Sequence, residues 1–250
     1  LLTIYMNDGI DPIDGKRKSG PVPLKKLEEY QTFEEFYDGY KALLDYYLDL
    51  SVKAQYHSYE VMNQHVSFLF TSLLTDDCIA RGKALLDGGV RYLGGTNETY
   101  GNINTSDSLW VIRDLVFNQK KYTLRQLNDA MLANFNGYEA LRKDCLNCDK
   151  YGNDLETADT MANDLYEFVA KGVRNRGIAI GMQYFLIVIS NNQLNTEWGN
   201  RTAASPDGRL SCMYMNPANN PQGGANKSGP TAMLNSLAKF DAKYHGGSVQ

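Results

Sequence analysis

The 250 residues carry 25 Lys and Arg against 29 Asp and Glu, a formal net charge of −4, and 43% hydrophobic side chains. That balance belongs to a globular chain long enough to bury a sizeable core, and it offers no cationic field for nucleic acid or anionic lipid. Four cysteines are too few to frame a disulfide-stapled scaffold, and no apolar run approaches the roughly 20 residues of a membrane-spanning helix. The chain opens on Leu1 with neither a basic region nor a cleavage site, which reads as an excised piece rather than a natural start.

Leu1 to Met6 reads as the end of a helix closed by Asn7-Asp8-Gly9. Gly15 to Pro23 is a basic, turn-rich surface connection. Thr32-Phe33-Glu34-Glu35 is a capping box, in which the hydroxyl accepts from a free backbone N–H while the glutamate reaches back. A long helix follows, with Phe33, Phe36, Tyr37, Tyr40, Leu43, Leu44, Tyr47 and Leu50 as its apolar stripe. His57 and His65 lie about two turns apart on it, with no third residue spaced to complete a metal site.

Gly88 to Asn104 is a glycine-rich loop without the G-x-G-x-x-G order or the lysine of a phosphate-binding loop. Its glycines suit tight backbone turns. Ser106-Asp107-Ser108 is expected to cap a helix running to about Asn118, and capping is the role expected of Asp107. Thr123 to Gln126 is a second capping box, leading a helix with Leu127, Met131, Leu132 and Phe135. Cys145 and Cys148 form a lone C-x-x-C without a second pair or nearby histidines, and read as incidental thiols near a helix end. Lys150 to Asp154 is a turn, followed by a helix through Met161, Leu165, Phe168 and Val169. Gly177 to Ile189 is the strongest strand pattern, uncharged and apolar on both faces. Ligands collect at the carboxyl ends of strands covered by helices on both sides, so Ser190 and Asn191, the first polar groups after this run, are the candidate substrate contacts.

The most informative stretch is Arg201 to Asp241. It holds the turn Ser205-Pro206-Asp207-Gly208-Arg209, a Pro-, Asn- and Gly-rich loop from Asn216 to Gly229, and Ser228-Gly229-Pro230 opening a helix. That helix places Met233, Leu234, Leu237 and Phe240 at helical spacing. The ordered combination of an S/TPDGR turn, an NP…G…GPTA loop and an NSLAK helix resembles the pyruvate formate-lyase-like family of glycyl radical enzymes. Further blocks fit the same pattern: Leu1 to Pro12, Asp77-Cys78 with Arg81-Gly82, Thr105 to Leu109, and Lys150 to Asp154.

The resemblance implies a helix-rich α/β fold, residues 1–250 forming part of one catalytic domain, a section of a glycyl-radical-enzyme-type α/β barrel. It also implies a mechanism: a backbone glycyl radical, installed by a separate S-adenosylmethionine-dependent iron–sulfur activase, generates a thiyl radical on a barrel-loop cysteine. Sulfur suits this role because it is soft and polarizable. Cleavage or dehydration of a small polar organic substrate follows, in an anaerobic, cytoplasmic setting, with no cofactor bound directly. Expected partners are the substrate, the activase and a second copy in a homodimer, with no nucleic acid and no membrane.

The family's radical-glycine motif does not occur in these 250 residues, and none of Cys78, Cys145, Cys148 and Cys212 sits in a matching cysteine-loop context. No catalytic residue is therefore assigned. The run from Leu210 to Met215 departs from the small and polar residues that follow the turn in the family, which leaves the reaction subclass open. Within the turn, Arg209 is a further substrate-binding candidate, with Asp207 near enough to offer it an ion pair instead, and the Asp207-Gly208 turn is expected to be exposed near the strand's carboxyl end. Two other functions stay open: a small-molecule binding module without chemistry, and an α-rich interaction or scaffold protein on the same fold.

Overall fold

The computed structural model describes residues 1–66, 68–182, 184–189, 194–241 and 243, with the backbone alone for 184–189. Helix α1 (Leu2–Met6) buries Leu2, Ile4, Tyr5 and Met6, and is closed where Gly9, at φ +80°, returns its N–H to the Ile4 carbonyl at 2.9 Å. Helix α2 (Phe33–His65) starts at Thr32, whose Oγ1 accepts from Glu35 N–H at 3.1 Å. The Glu35 carboxylate reaches one residue further back than expected, accepting from Gln31 N–H at 3.0 Å. The buried stripe is Phe33, Phe36, Tyr40, Leu43, Leu44, Leu48 and Val52. Leu50 is 48% exposed: steps of four residues from Leu44 carry the buried line to Leu48 and Val52, and turn Leu50 outward. His57 and His65 are exposed.

Short helices α3 (Leu69–Leu74) and α4 (Cys78–Arg81) lead into strand β1 (Gly94–Thr99). The glycine-rich loop expected over Gly88 to Asn104 therefore contains a strand. Gly-Gly-Thr-Asn-Glu-Thr has no intrinsic strand pattern, and its conformation is imposed from outside. It pairs in parallel with strand β2 (Tyr184–Ile189), Gly94 opposite Tyr184 and Thr99 opposite Ile189. From the α2 side, Tyr59 donates to the Gly94 carbonyl at 2.9 Å and Ser51 to Asn97 Oδ1 at 2.5 Å.

Helix α5 (Asn102–Val111) continues through wide π-type turns to Asn118 and is followed by α6 (Leu124–Leu132), where the Thr123 capping box forms in full. Leu132 is half exposed, and Phe135 lies beyond the helix in a left-handed turn that still buries its ring. Helix α7 (Glu139–Asn147) ends at the C-x-x-C, where burial pushes the Cys145 thiol up to about 12 and the Cys148 thiol up to about 11. Neither is a thiolate at neutral pH.

Helix α8 (Glu156–Ala179) is the central element, packed against α2, α5 and both strands. Its end corrects the strand expected from Gly177. Val169, Val173 and Gly177 continue the buried face of α8 at four-residue intervals, and Gly181 at φ +86° makes the turn before β2 begins at Tyr184. The front of the apolar run thus belongs to the helix. The side-chain burial expected for the strand lies outside the described residues. Helix α9 (Leu194–Asn200) follows, and α10 (Gly229–Ala238) begins as expected behind Ser228, with Pro230 in its first turn. Helix α10 docks partly through polar groups. Leu234 is exposed while Ser236 is buried, donating to Asp159 Oδ2 at 3.0 Å beside a 2.7 Å Lys239–Asp159 ion pair. Among the described residues, no helix is long and apolar enough to cross a membrane, and no cluster of His, Cys, Asp and Glu could hold a metal ion.

Candidate functional site

Asn104, Asp107 and Ser108 stand three and four residues apart, on one face of α5. Each is buried, and together they hold three loops. Asn104 Nδ2 donates to Asp207 Oδ2 at 2.7 Å and to Gln222 Oε1 at 3.1 Å. Asn104 and Asn216 exchange bonds, each backbone N–H donating to the other's Oδ1, at 3.2 and 2.8 Å. Ser108 Oγ accepts from Asp207 N–H at 3.1 Å, and Asp107 Oδ1 accepts from Tyr151 N–H at 2.9 Å. One helix face thus gathers the Ser205-to-Arg209 turn, the Asn216 loop and the Lys150-to-Asp154 turn. Asn153 closes the arrangement, donating to the Ala225 carbonyl at 3.0 Å and accepting from Lys227 and Ser228 N–H.

Two sequence expectations change here. Asp107 is not a cap: the N-cap position is Gly101, at φ +68°, and Asp107 lies in the helix interior with 1% exposure. Burial pushes its carboxyl up to about 8, only partly offset by Lys150 and the Tyr151 N–H, with Asp207 and Asp159 adding to the rise. Its Oδ2 has no hydrogen-bond partner among the described residues, a state that costs about 1–3 kcal/mol for a buried polar group.

The second change concerns the turn at Asp207-Gly208, which is buried rather than exposed. Its polar groups are neutralised from within. Ser205 Oγ donates to Asp207 Oδ1 at 2.5 Å, and Arg209 N–H to the same oxygen at 3.3 Å. Gly208, at φ +94°, leaves room for Leu146, whose Cδ2 would stand 2.7 Å from an added Cβ.

Of the three substrate-binding candidates, Ser190 and Asn191 lie outside the described residues. Arg209 is 4% exposed and faces inward. Its Nε donates to Ser205 Oγ at 3.2 Å, Nη1 to the Leu210 and Met213 carbonyls at 3.1 and 2.8 Å, and Nη2 to the Ala203 carbonyl. The guanidinium is therefore directed mainly at backbone carbonyls, and the side-chain ion pair with Asp207 considered from the sequence is replaced by these bonds.

Among the described residues two cavities border these groups, and another lies by β1. One, of about 310 Å³, is lined by Asp107, Arg142, Lys150, Asp207, Arg209 and Lys227, among others. A smaller one, of about 100 Å³, lies on another side of Arg209, against Leu1, Tyr100, Asn104 and Met215. The third, of about 300 Å³, opens by the carboxyl end of β1, with Leu44, Leu48, Leu165 and Val169 as its apolar wall and Ser51, Asn97, Thr99 and Asn102 as polar groups. Those polar groups already pair with one another, Ser51 with Asn97 and Asn102 with Thr99 at 2.9 Å. Sequence reasoning missed Asn104, Asn216 and Asn153, since a lone asparagine in a loop or helix carries no signal of the partner it meets a hundred residues away.

The model of the pyruvate formate lyase-like family matches residues 1–194. The chain belongs to the pyruvate formate lyase-like family. Among family members, the trans-4-hydroxy-L-proline dehydratase of Clostridioides difficile is 30% identical over 250 residues, covering 100% of this chain and 31% of its own length. A crystal structure of that organism's hydroxyproline dehydratase with trans-4-hydroxy-L-proline bound superposes on 98% of the chain with a TM-score of 0.91. The B12-independent glycerol dehydratase from Clostridium butyricum, in its glycerol-bound form, gives 0.89 at 28% identity over 97% of the chain and 30% of its own. A glycyl radical enzyme from Archaeoglobus fulgidus gives 0.83 at 26% identity over 96% of the chain and 30% of its own. The chain thus spans about a third of the length of these relatives, and its fold is a section of the glycyl radical enzyme barrel.

Proposed function

We propose that these 250 residues serve in a glycyl radical lyase or dehydratase acting on a small polar organic substrate, as part of one catalytic domain. The observation that carries this reading is the superposition of nearly the whole chain on barrels of that class, at 26–30% identity. In this reading β1 and β2 contribute two staves of the barrel wall, while α5 and the loops it clamps hold that wall in place. The substrate, hydroxylated and small as in the relatives, lies at the carboxyl ends of the strands.

The cavity beside Thr99 has the character such a substrate requires, an apolar wall with few polar groups. Thr99 at this cavity is in register with Ile189, the last residue of β2. Ser190 and Asn191, the first polar residues after that strand in the sequence, are the ones this reading assigns to the substrate. The radical belongs to a glycine of the whole protein, installed by an S-adenosylmethionine-dependent iron–sulfur activase under anaerobic conditions in the cytoplasm. A homodimer is the assembly this reading favours. Arg209 falls back to a structural part, since its donors are directed at backbone carbonyls.

Turnover of the activated whole protein on trans-4-hydroxy-L-proline, glycerol and 1,2-propanediol tests the reading. Loss of water from at least one small hydroxylated compound is expected. Asn191→Ala, compared at equal radical content, should raise KM or lower kcat by roughly tenfold, the effect of losing one good polar contact. Unchanged constants would remove Asn191 from the substrate, and no turnover of any small polar compound would remove the function.

A further inference from the structure

The cavity of about 310 Å³ at the Asp207 turn has a charge character that the chain as a whole does not share. The protein is net acidic, yet four cations, Arg142, Lys150, Arg209 and Lys227, line this one space against the carboxyls of Asp107 and Asp207. Asp207 is satisfied by Asn104, Ser205 and the Arg209 N–H. Lys150 is anchored on the Cys145 and Cys148 carbonyls at 2.6 and 3.3 Å, and Arg209 on the carbonyls of its own turn. Two cations keep donors for something else. Arg142 commits Nε to the Gly208 carbonyl at 2.9 Å, and its Nη groups have no partner among the described residues. Lys227 is exposed at the edge, its backbone fixed by Asn153. Asp107 is also at the lining, buried, with its Oδ2 shielded from solvent and without a hydrogen-bond partner among the described residues.

We propose that this cavity binds a small oxyanion, the carboxylate or phosphate group of a metabolite, held by Arg142 and Lys227. A fork of two Nη groups matches the paired oxygens of such a group, and an ammonium at the edge adds charge without fixed geometry. At neutral pH Asp107 keeps its proton, burial having raised it to about 8. Asp107 therefore sets no repelling charge beside the anion. Gly223 and Gly224 at the lining keep the entrance free of side chains. A volume near 310 Å³ is at the lower end of small-molecule sites, roughly 300–1,000 Å³.

Sulfate and acetate, which keep constant charge above pH 6.5, are the probes for calorimetric titration of the full natural chain at fixed ionic strength. At least one should bind at millimolar concentration. Preference for sulfate assigns the site to a phosphate-type group, preference for acetate to a carboxylate, and equal binding to oxyanions generally. Arg142→Ala and Lys227→Glu should each weaken binding by roughly tenfold, as loss of a charged contact does, whereas the exposed control Lys171→Glu should leave it unchanged. Lys227 carries no packing role, so its variant stays folded and informative even if Arg142→Ala does not. Absence of binding by both anions, or affinities that ignore the Lys227 and Arg142 substitutions, would overturn the site.

Discussion

Asp207→Ala should destabilise the protein by about 3–5 kcal/mol, the range for breaking a buried charged network by removing one partner. The carboxylate accepts from Asn104 Nδ2, Ser205 Oγ and the Arg209 N–H, and all three donors would be left in a buried turn without it. It is also the nearest negative charge favouring the buried Arg209 guanidinium, whose protonation burial opposes. Since whole-domain stabilities are roughly 5–15 kcal/mol, such a loss consumes much of the margin. Urea unfolding of wild type and variant measures it directly. Ser205→Ala, which removes one donor to Asp207 and one acceptor of Arg209 Nε, should lose less, about 2 kcal/mol. A loss below 1 kcal/mol for Asp207→Ala would mean that the carbonyls around Arg209 suffice to hold the turn.

Asp107→Asn should change the pH dependence of stability, with the largest gain in alkaline solution. Burial raises the folded-state carboxyl from its ordinary 3.8 to about 8. Between those values the folded protein holds a proton that the unfolded chain has already released. The stability associated with protonated Asp107 is therefore complete below about pH 4 and is lost as pH rises through about 8, by up to ~1.4 kcal/mol per pH unit. The charged groups facing it are Lys150 from the turn before α8, Asp207 from the Ser205 turn and Asp159 from α8, and all remain in the variant. Asparagine keeps an acceptor for the Tyr151 N–H and has no charge to lose. Compared by urea unfolding at pH 5 and pH 8, the variant should gain on wild type by a few kcal/mol, on the order expected for one buried acid. Parallel stability profiles would show that Asp107 is ionised in the folded state.

What the sequence made legible was local. The caps at Thr32 and Thr123, the stripe of α2 up to Leu44, and Pro230 at the start of α10 follow from short-range rules, and the structure contains them. The failures share a cause, since each depends on a partner far along the chain. Gly94–Thr99 is a strand because β2 and α2 hold it there, and Gly177 is helical because it completes the face that α8 lays on the core. Asp107 looked like a cap because Ser-Asp-Ser is capping chemistry. Its true surroundings, Tyr151 and the Asp207 turn, are 44 and 99 residues distant, as the bonds from Tyr151 to Asp107 and from Asp207 to Ser108 record. The motif blocks were visible one by one, but their convergence on one face of α5 was not. On the substrate side the sequence offers a proposal only, Ser190 and Asn191 after the apolar run, and both lie outside the described residues.

The central claim, that these residues work inside a glycyl radical enzyme, is tested most directly by electron paramagnetic resonance. The whole natural protein is incubated anaerobically with its activase, S-adenosylmethionine and a reductant, beside the 250 residues alone. An organic radical with the doublet splitting of a glycyl α-hydrogen should appear in the whole protein and be absent from the 250 residues, which contain no radical-glycine motif. No doublet in the whole protein, with an activase that works on a known glycyl radical enzyme, would contradict the account, and so would a doublet on the 250 residues.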